Sequence, residues 1–178
     1  MKGVVFDLFE QAVVRAHGED AWDDLLTDAG LLGAYTSLGS YPDAHLGRLV
    51  DRASGALGMD AQDTTRWFGR EALSLMAAAY PEFFTPHTST HAFLMTLNDI
   101  IHHEVRKVYP GADVPWFDMG EAPDGALVMG YASRRRLCAF AEGLIQGAAA
   151  YYAESVRIEQ PICMLRGDDA CSLVVHLG

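Results

Sequence analysis

The apolar positions of this chain show two textures, a helical period over the first part and shorter, strand-like runs toward the end. Val5, Phe6, Phe9 and Val13 fall on near-helical spacing and predict a helix over 3–15; Trp22 and Leu25 centre a second over 19–29. Gly39, Ser40, Tyr41 and Pro42 mark a turn, after which Leu46, Leu49 and Val50 resume the period. Residues 60–79 continue as helix, with Trp67 and Phe68 early and Leu75 and Met76 late, and Pro81 and Pro86 bracket a loop. Thr88, Ser89 and Thr90 are all good N-caps, so the next helix is expected to start there and to end before Pro110-Gly111.

Beyond that point the pattern changes. Residues 116–120 and 126–132 read as strands around the turn Ala122-Pro123-Asp124-Gly125. A long helix is expected over 133–154, with Leu137, Phe140, Ala141, Leu144, Ala148 and Tyr151 as its apolar stripe. Strand stretches follow at 156–160, 162–166 and 171–177, the last two joined by Gly167-Asp168-Asp169. The fold class is α+β in one domain, 1–178: a helical part over about 1–85, then a mixed part over about 86–178, where an antiparallel four-stranded sheet packs on helices.

Composition narrows the function classes. At 178 residues, 50% hydrophobic and 21% charged, the chain has the makings of a folded domain with a real core or an internal pocket. Its formal net charge of −11 repels phosphate backbones and anionic lipid, which speaks against nucleic acid and membrane surfaces and favours a basic face on another protein. The opening Met-Lys-Gly-Val-Val-Phe-Asp lacks the apolar core of a signal peptide, and no apolar run approaches the ~18 residues of a membrane span. The expected location is therefore the cytoplasm. Three cysteines in a reducing compartment argue against a disulfide framework and leave buried thiols or metal ligation open.

Two constellations carry candidate chemistry. His102 and His103 lie in a predicted helix, where neighbours point about 100° apart and so cannot share a role. His103 shares its face with Asp99, Arg106 and Lys107, whereas His102 lies with Met95, Val105 and Tyr109, the more protected side for an imidazole ligand. On spacing alone, His102 reads first as a satisfied half-buried histidine with no ligand role. Tyr131, Ser133 and Arg135 alternate where a strand runs into a helix, so in extended geometry two hydroxyls and a guanidinium face one side. Such a set suits carboxylates. The plain alternative is an exposed basic helix start, since Arg134 and Arg136 flank Arg135.

The opening Met-Lys-Gly-Val-Val-Phe, the segment from Leu97 to Gly111 with its histidine seven residues before Tyr109-Pro110-Gly111, and Tyr131-x-Ser133-x-Arg135 together resemble the H-NOX family. These are haem nitric oxide/oxygen binding domains, and the likeness runs over essentially the whole chain. It implies a haem b held between the helical (distal) part and the mixed part. His102 is then the proximal iron ligand, Tyr131, Ser133 and Arg135 bind the propionates, and Pro115 presses on the porphyrin. Neutral imidazole is the usual proximal ligand where haem binds a diatomic gas. Members that hold oxygen stably supply a tyrosine hydroxyl from the helix after the triplet; the corresponding residue here is Phe140, which has no donor. The resemblance thus implies a distal pocket of Val5, Phe9, Leu75, Phe140 and Leu144 that favours nitric oxide and carbon monoxide over oxygen. Core packing alone also accounts for these five residues, and Tyr80, Tyr151 and Tyr152 are other hydroxyls within reach of such a pocket.

Further expectations follow from the same resemblance. Nitric oxide weakens the bond trans to it, so loss of the iron–His102 bond would shift the His102 helix against the N-terminal helices. The output would be a separately encoded partner, a histidine kinase or an enzyme of cyclic dinucleotide turnover. Hairpin geometry can bring Cys163 and Cys171 together, with Cys138 across the packed helix, a set that suits zinc, and some bacterial H-NOX proteins hold zinc at a matching cluster. The fourth position here offers only Glu159, Gln160 or Pro161. Two readings compete: a haem enzyme such as a peroxidase, for which no distal acid–base pair is evident, and a haem-free small-ligand module like the vinyl-reductase-type sensor domains, which the segment from Cys163 to Cys171 also resembles.

Overall fold

The computed structural model describes residues 1–178. Helices α1 (Gly3–His17), α2 (Glu19–Ala29), α3 (Asp43–Leu57) and α4 (Ala61–Ala79) form the helical part. Their apolar stripes converge on a core containing Phe6, Phe9, Trp22, Leu25, Leu49 and Phe68. α4 begins where Asp60 caps it, its carboxylate accepting the Asp63 N–H at 2.8 Å.

The single helix expected between Thr88 and Pro110 is broken in three. α5 (Thr90–Leu94) is capped by Ser89, whose hydroxyl accepts the Ala92 N–H. A π-helical turn over Leu97–Ile101 follows, and α6 (His102–Val108) starts at the candidate ligand itself. Such wide turns are uncommon and concentrate at functional sites.

Strands β1 (Trp116–Glu121), β2 (Leu127–Ala132), β3 (Val156–Ile162) and β4 (Cys171–Leu177) form an antiparallel sheet in the order β1-β2-β4-β3. The expected strand at 162–166 is absent: β3 ends at Ile162 and Met164–Arg166 is a 3-10 turn. Pro161, with no N–H to give the ladder, sits where the β3–β4 register slips between Glu159 and Ile162, and past Ile162 the chain turns, the Arg166 N–H bonding to Cys163 O. The long helix α7 (Cys138–Tyr151) also starts later than residue 133. The Arg136 N–H bonds to Ser133 O, the Leu137 N–H to the Tyr131 hydroxyl, and Arg136 has a φ of 51°. Local bonds to side chains have replaced the first helical turn.

α7 packs along α4 and joins the helical core to a second core under the sheet, built on Met129, Tyr131, Ile145, Leu173 and Val175. The two helices approach backbone to backbone at Gly69 and Gly143. A Cβ on Gly143 would lie 2.1 Å from Arg66 O, and one on Gly69 would lie 2.5 Å from Phe140 O. Glu142, 8% exposed, spans the same crossing to accept from Arg66 Nε at 2.6 Å.

Candidate functional site

His102 opens α6 and packs its ring on Phe117 of β1, with centroids 5.9 Å apart. Its Nδ1 is buried without a hydrogen-bond partner. Burial, reinforced by the Arg106 charge and opposed by the Pro115 backbone, pushes its pKa down to about 4. The imidazole is therefore neutral near pH 7, with a lone pair to give a metal. His103 is exposed. Of the adjacent pair, only His102 has the environment of a ligand.

Asn98, in the π-helical turn, is a positioning residue that pattern reading missed. Its amide donates to Phe117 O at 2.7 Å, and its carbonyl oxygen accepts the Phe117 N–H at 3.0 Å. The free edge of β1 is thereby tied to the segment that carries His102. Phe117 in turn faces Tyr131 across the β1–β2 ladder, with ring centroids 5.8 Å apart. One row of rings thus links His102 to the hydroxyl triplet. The one sequence signal was an amide one turn before the histidine, too common to single out.

The triplet is not fully extended. Tyr131 lies in β2, while the chain turns after Ala132 and carries Ser133 and Arg135 in a loop. The Ser133 hydroxyl accepts the Arg135 N–H at 3.3 Å and lies against the Tyr131 hydroxyl, so the two hydroxyls do meet. Arg135 is 15% exposed and forms ion pairs with Asp43 at 3.0 Å and Asp113 at 3.1 Å. Unlike Arg134, which is 81% exposed, it is a largely buried cation held between carboxylates. Arg135 is thus no free surface cation, and its present partners are carboxylates. Beside it a cavity of about 130 Å³ lies between α1 and α6, with Val5, Val105, Tyr109, Val114 and Arg135 in its walls.

The five distal candidates belong to the helical-part core. Phe9 is fully buried, and Val5, Leu75, Phe140 and Leu144 pack against the same cluster. The Phe140 ring lies 4.9 Å from Phe68, which lies 4.7 Å from Phe9. The tyrosines left open by the sequence are engaged elsewhere. Tyr80 pairs its hydroxyl with that of Tyr109 at 3.3 Å, Tyr152 donates to Phe84 O at 2.9 Å, and Tyr151 packs on Phe84 and Tyr152. Pro115 is half-buried immediately before β1, its backbone beside the His102 ring.

The three cysteines, distant in sequence, come together. Cys138 starts α7, Cys163 follows β3 and Cys171 starts β4; all are buried, and their sulfur atoms lie within 4.8 Å of one another. Glu159, one candidate for a fourth ligand, pairs instead with Arg157 and lies 3.8 Å from His176. Pro161 offers no side-chain donor atom, and Gln160 brings an amide beside Cys138. Three thiols are one short of the closed four-ligand shell of a structural zinc.

A half-buried neutral imidazole, a hydroxyl and arginine set suited to carboxylates, and an apolar core alongside are groups that could hold a haem. Comparison with known proteins agrees. Residues 2–160 match the family described as haem-NO-binding, and the chain belongs to that family. It is similar to an H-NOX protein from S. oneidensis solved in the Fe(II)NO ligation state, with 31% identity, 100% of this chain and 99% of that chain covered, and a TM-score of 0.93. It is also similar to the unliganded Fe(II) H-NOX protein from K. algicida, at 26% identity, 100% and 97% coverage, and a TM-score of 0.87. An oxygen-binding H-NOX domain related to soluble guanylate cyclases shares the fold at 23% identity, 99% and 94% coverage, and a TM-score of 0.81. The family is one of haem-binding sensor domains for diatomic gases rather than of catalysts, which favours the haem-holding reading over both competitors. No helix is long and apolar enough to cross a membrane.

Proposed function

We propose that this chain is a haem-based nitric oxide sensor that holds haem b through His102. One observation carries the reading: a half-buried imidazole, neutral at physiological pH, with an orphaned Nδ1, packed on the row of rings that leads to Tyr131 and Ser133. Tyr131, Ser133 and Arg135, the last now paired with Asp43 and Asp113, would hold the propionates. Pro115 and Val5 shape the pocket walls around the ring. Bound haem supplies an iron with a coordination position open to nitric oxide or carbon monoxide.

The distal residues set selectivity by what they lack. A hydrogen-bond donor beside the open position would favour oxygen, which develops negative charge, over nitric oxide, which needs little help. Val5, Phe9, Leu75, Phe140 and Leu144 provide no such donor, and the hydroxyls of Tyr80 and Tyr152 are bonded elsewhere. A ligand shifts a conformational equilibrium only by its difference in affinity between states. A changed hold on His102 would supply that difference, since His102 opens α6, which faces α1 across the small cavity, while Asn98 keeps the π-helical turn on β1. The readout is a separate cytoplasmic signalling protein, a histidine kinase or an enzyme of cyclic dinucleotide turnover, met through a basic face that complements the −11 charge.

The test is the absorbance spectrum of the reduced, haem-loaded protein under argon, then with oxygen, and separately with nitric oxide. A five-coordinate ferrous spectrum unchanged by oxygen and converted by nitric oxide to the five-coordinate form that follows His102 release is expected. A stable oxygen complex would overturn the distal reading, and failure to retain haem would overturn the whole.

A further inference from the structure

The cluster of Cys138, Cys163 and Cys171 adjoins the proposed haem site, Cys171 lying opposite Tyr131 in the β2–β4 ladder, but no haem role is assigned to its thiols, and their chemistry is incomplete for zinc. The three sulfurs are 1%, 2% and 2% exposed by residue, with Cys138 and Cys163 3.8 Å apart. Metal–sulfur bonds of about 2.3 Å place sulfurs roughly 3.8 to 4.0 Å apart in either a tetrahedral or a trigonal shell. Spacing therefore does not choose between ions. Ligand count does.

Zinc takes four ligands, and burial leaves no access for a water to serve as the fourth. Two N–H groups lie beside the sulfurs instead. The Met164 N–H points to Cys171 Sγ at 3.2 Å. Gln160 Nε2 is buried without an acceptor, beside the Cys138 thiol. The Asp168 carboxylate accepts the Cys163 N–H at 2.8 Å and fixes the loop that presents the second sulfur. Neutral thiols are weak acceptors and reward such donors poorly, whereas thiolates bound to a metal reward them well.

We infer that Cys138, Cys163 and Cys171 form a three-coordinate site for a soft monovalent ion of the copper(I) class, with Met164 N–H and the Gln160 amide bonded to the thiolates. Soft thiolate donors select copper(I), which accepts three ligands where zinc needs four. The ion displaces thiol protons to solvent on binding. The excess negative charge of thiolates around a single positive charge then falls where the Met164 N–H is aimed and beside the unpaired Gln160 amide.

The experiment uses the full haem-loaded chain under anaerobic reducing conditions, with copper(I) delivered in competition with bicinchoninate and zinc(II) in parallel against a chromophoric chelator. One copper(I) per chain is expected, with copper X-ray absorption showing three sulfur neighbours and no nitrogen or oxygen neighbour. Cys171→Ser should lose that copper with the haem spectrum intact. Should that variant not fold, Gln160→His decides, because it keeps all three thiols and adds the missing fourth ligand; its zinc affinity should rise about 100-fold. Failure of the wild type to take copper(I) from bicinchoninate would overturn the proposal. So would tight zinc in a four-ligand shell of the wild type, or a folded Gln160→His protein with unchanged zinc affinity.

Discussion

The two sides of the proposed haem pocket differ in how they are built. The helical side is an apolar cluster whose nearby hydroxyls are turned to other partners. The side carrying His102 is dense in specific polar contacts: Asn98 on Phe117, Leu137 on Tyr131, Ser133 on Arg135, and Arg135 on Asp43 and Asp113. One side acts by exclusion, and its residues are interchangeable within limits of volume. The other acts by placement, and each residue there has a partner that would be left unpaired by its loss. α4 and α7 hold the two sides together at a seam that only glycine can form.

The placed side should therefore break more readily than the excluding side. The largest effect is expected from His102→Ala, which should lower haem retention more than about tenfold, or at least about 1.4 kcal/mol, read from the Soret band after gel filtration. Retention equal to the wild type would move the iron ligand elsewhere. Next comes Asn98→Ala. It leaves both buried backbone groups of Phe117 unpaired, at about 1–3 kcal/mol each, and should lower the denaturation midpoint and loosen the His102 segment in hydrogen exchange.

Gly143→Ala tests the seam between the two sides. Its Cβ would meet Arg66 O, so a loss of about 1–3 kcal/mol in urea unfolding is expected, with changes on both sides of the pocket. Phe140→Tyr should cost under about 1.5 kcal/mol of stability, since it adds one hydroxyl to a site of similar volume. It sharpens the comparison by giving the excluding side a donor. An oxygen complex that persists in the variant and not in the wild type would confirm that selectivity rests on the missing hydroxyl.

The smallest effect concerns pH. The folded chain holds His102 near 4 and the unfolded chain near 6.5, so unfolded chains bind the extra proton in that window. Stability contributed by the neutral imidazole is intact above about 6.5 and is lost as pH falls toward about 4. His102→Gln should flatten that slope in paired denaturation curves at pH 7.5 and 5, by an amount reduced by the partial exposure of the ring.

Much of this was legible in the order of residues. α1 to α4 follow from apolar spacing, because helical periodicity is a local property and tertiary contacts only ratify it. Phe140 is equally plain, since the absence of a hydroxyl is a fact about the residue. His102 could be separated from His103 by the 100° between neighbouring helical positions, but its burial, its orphaned nitrogen and its neutrality arise from Phe117, Arg106 and Pro115, which only the fold assembles. The π-helical turn had no local signature; its Asn98 bonds to a strand residue that lies 19 positions on. The late start of α7 likewise depends on the Tyr131 hydroxyl taking the Leu137 N–H in place of a helical carbonyl. Sequence by itself determined the residue types and their local periods. The tertiary structure alone decided which buried atoms have partners, and so which of the candidate residues are free to bind something else, because satisfaction of a donor or acceptor depends on what the chain brings to it from far away.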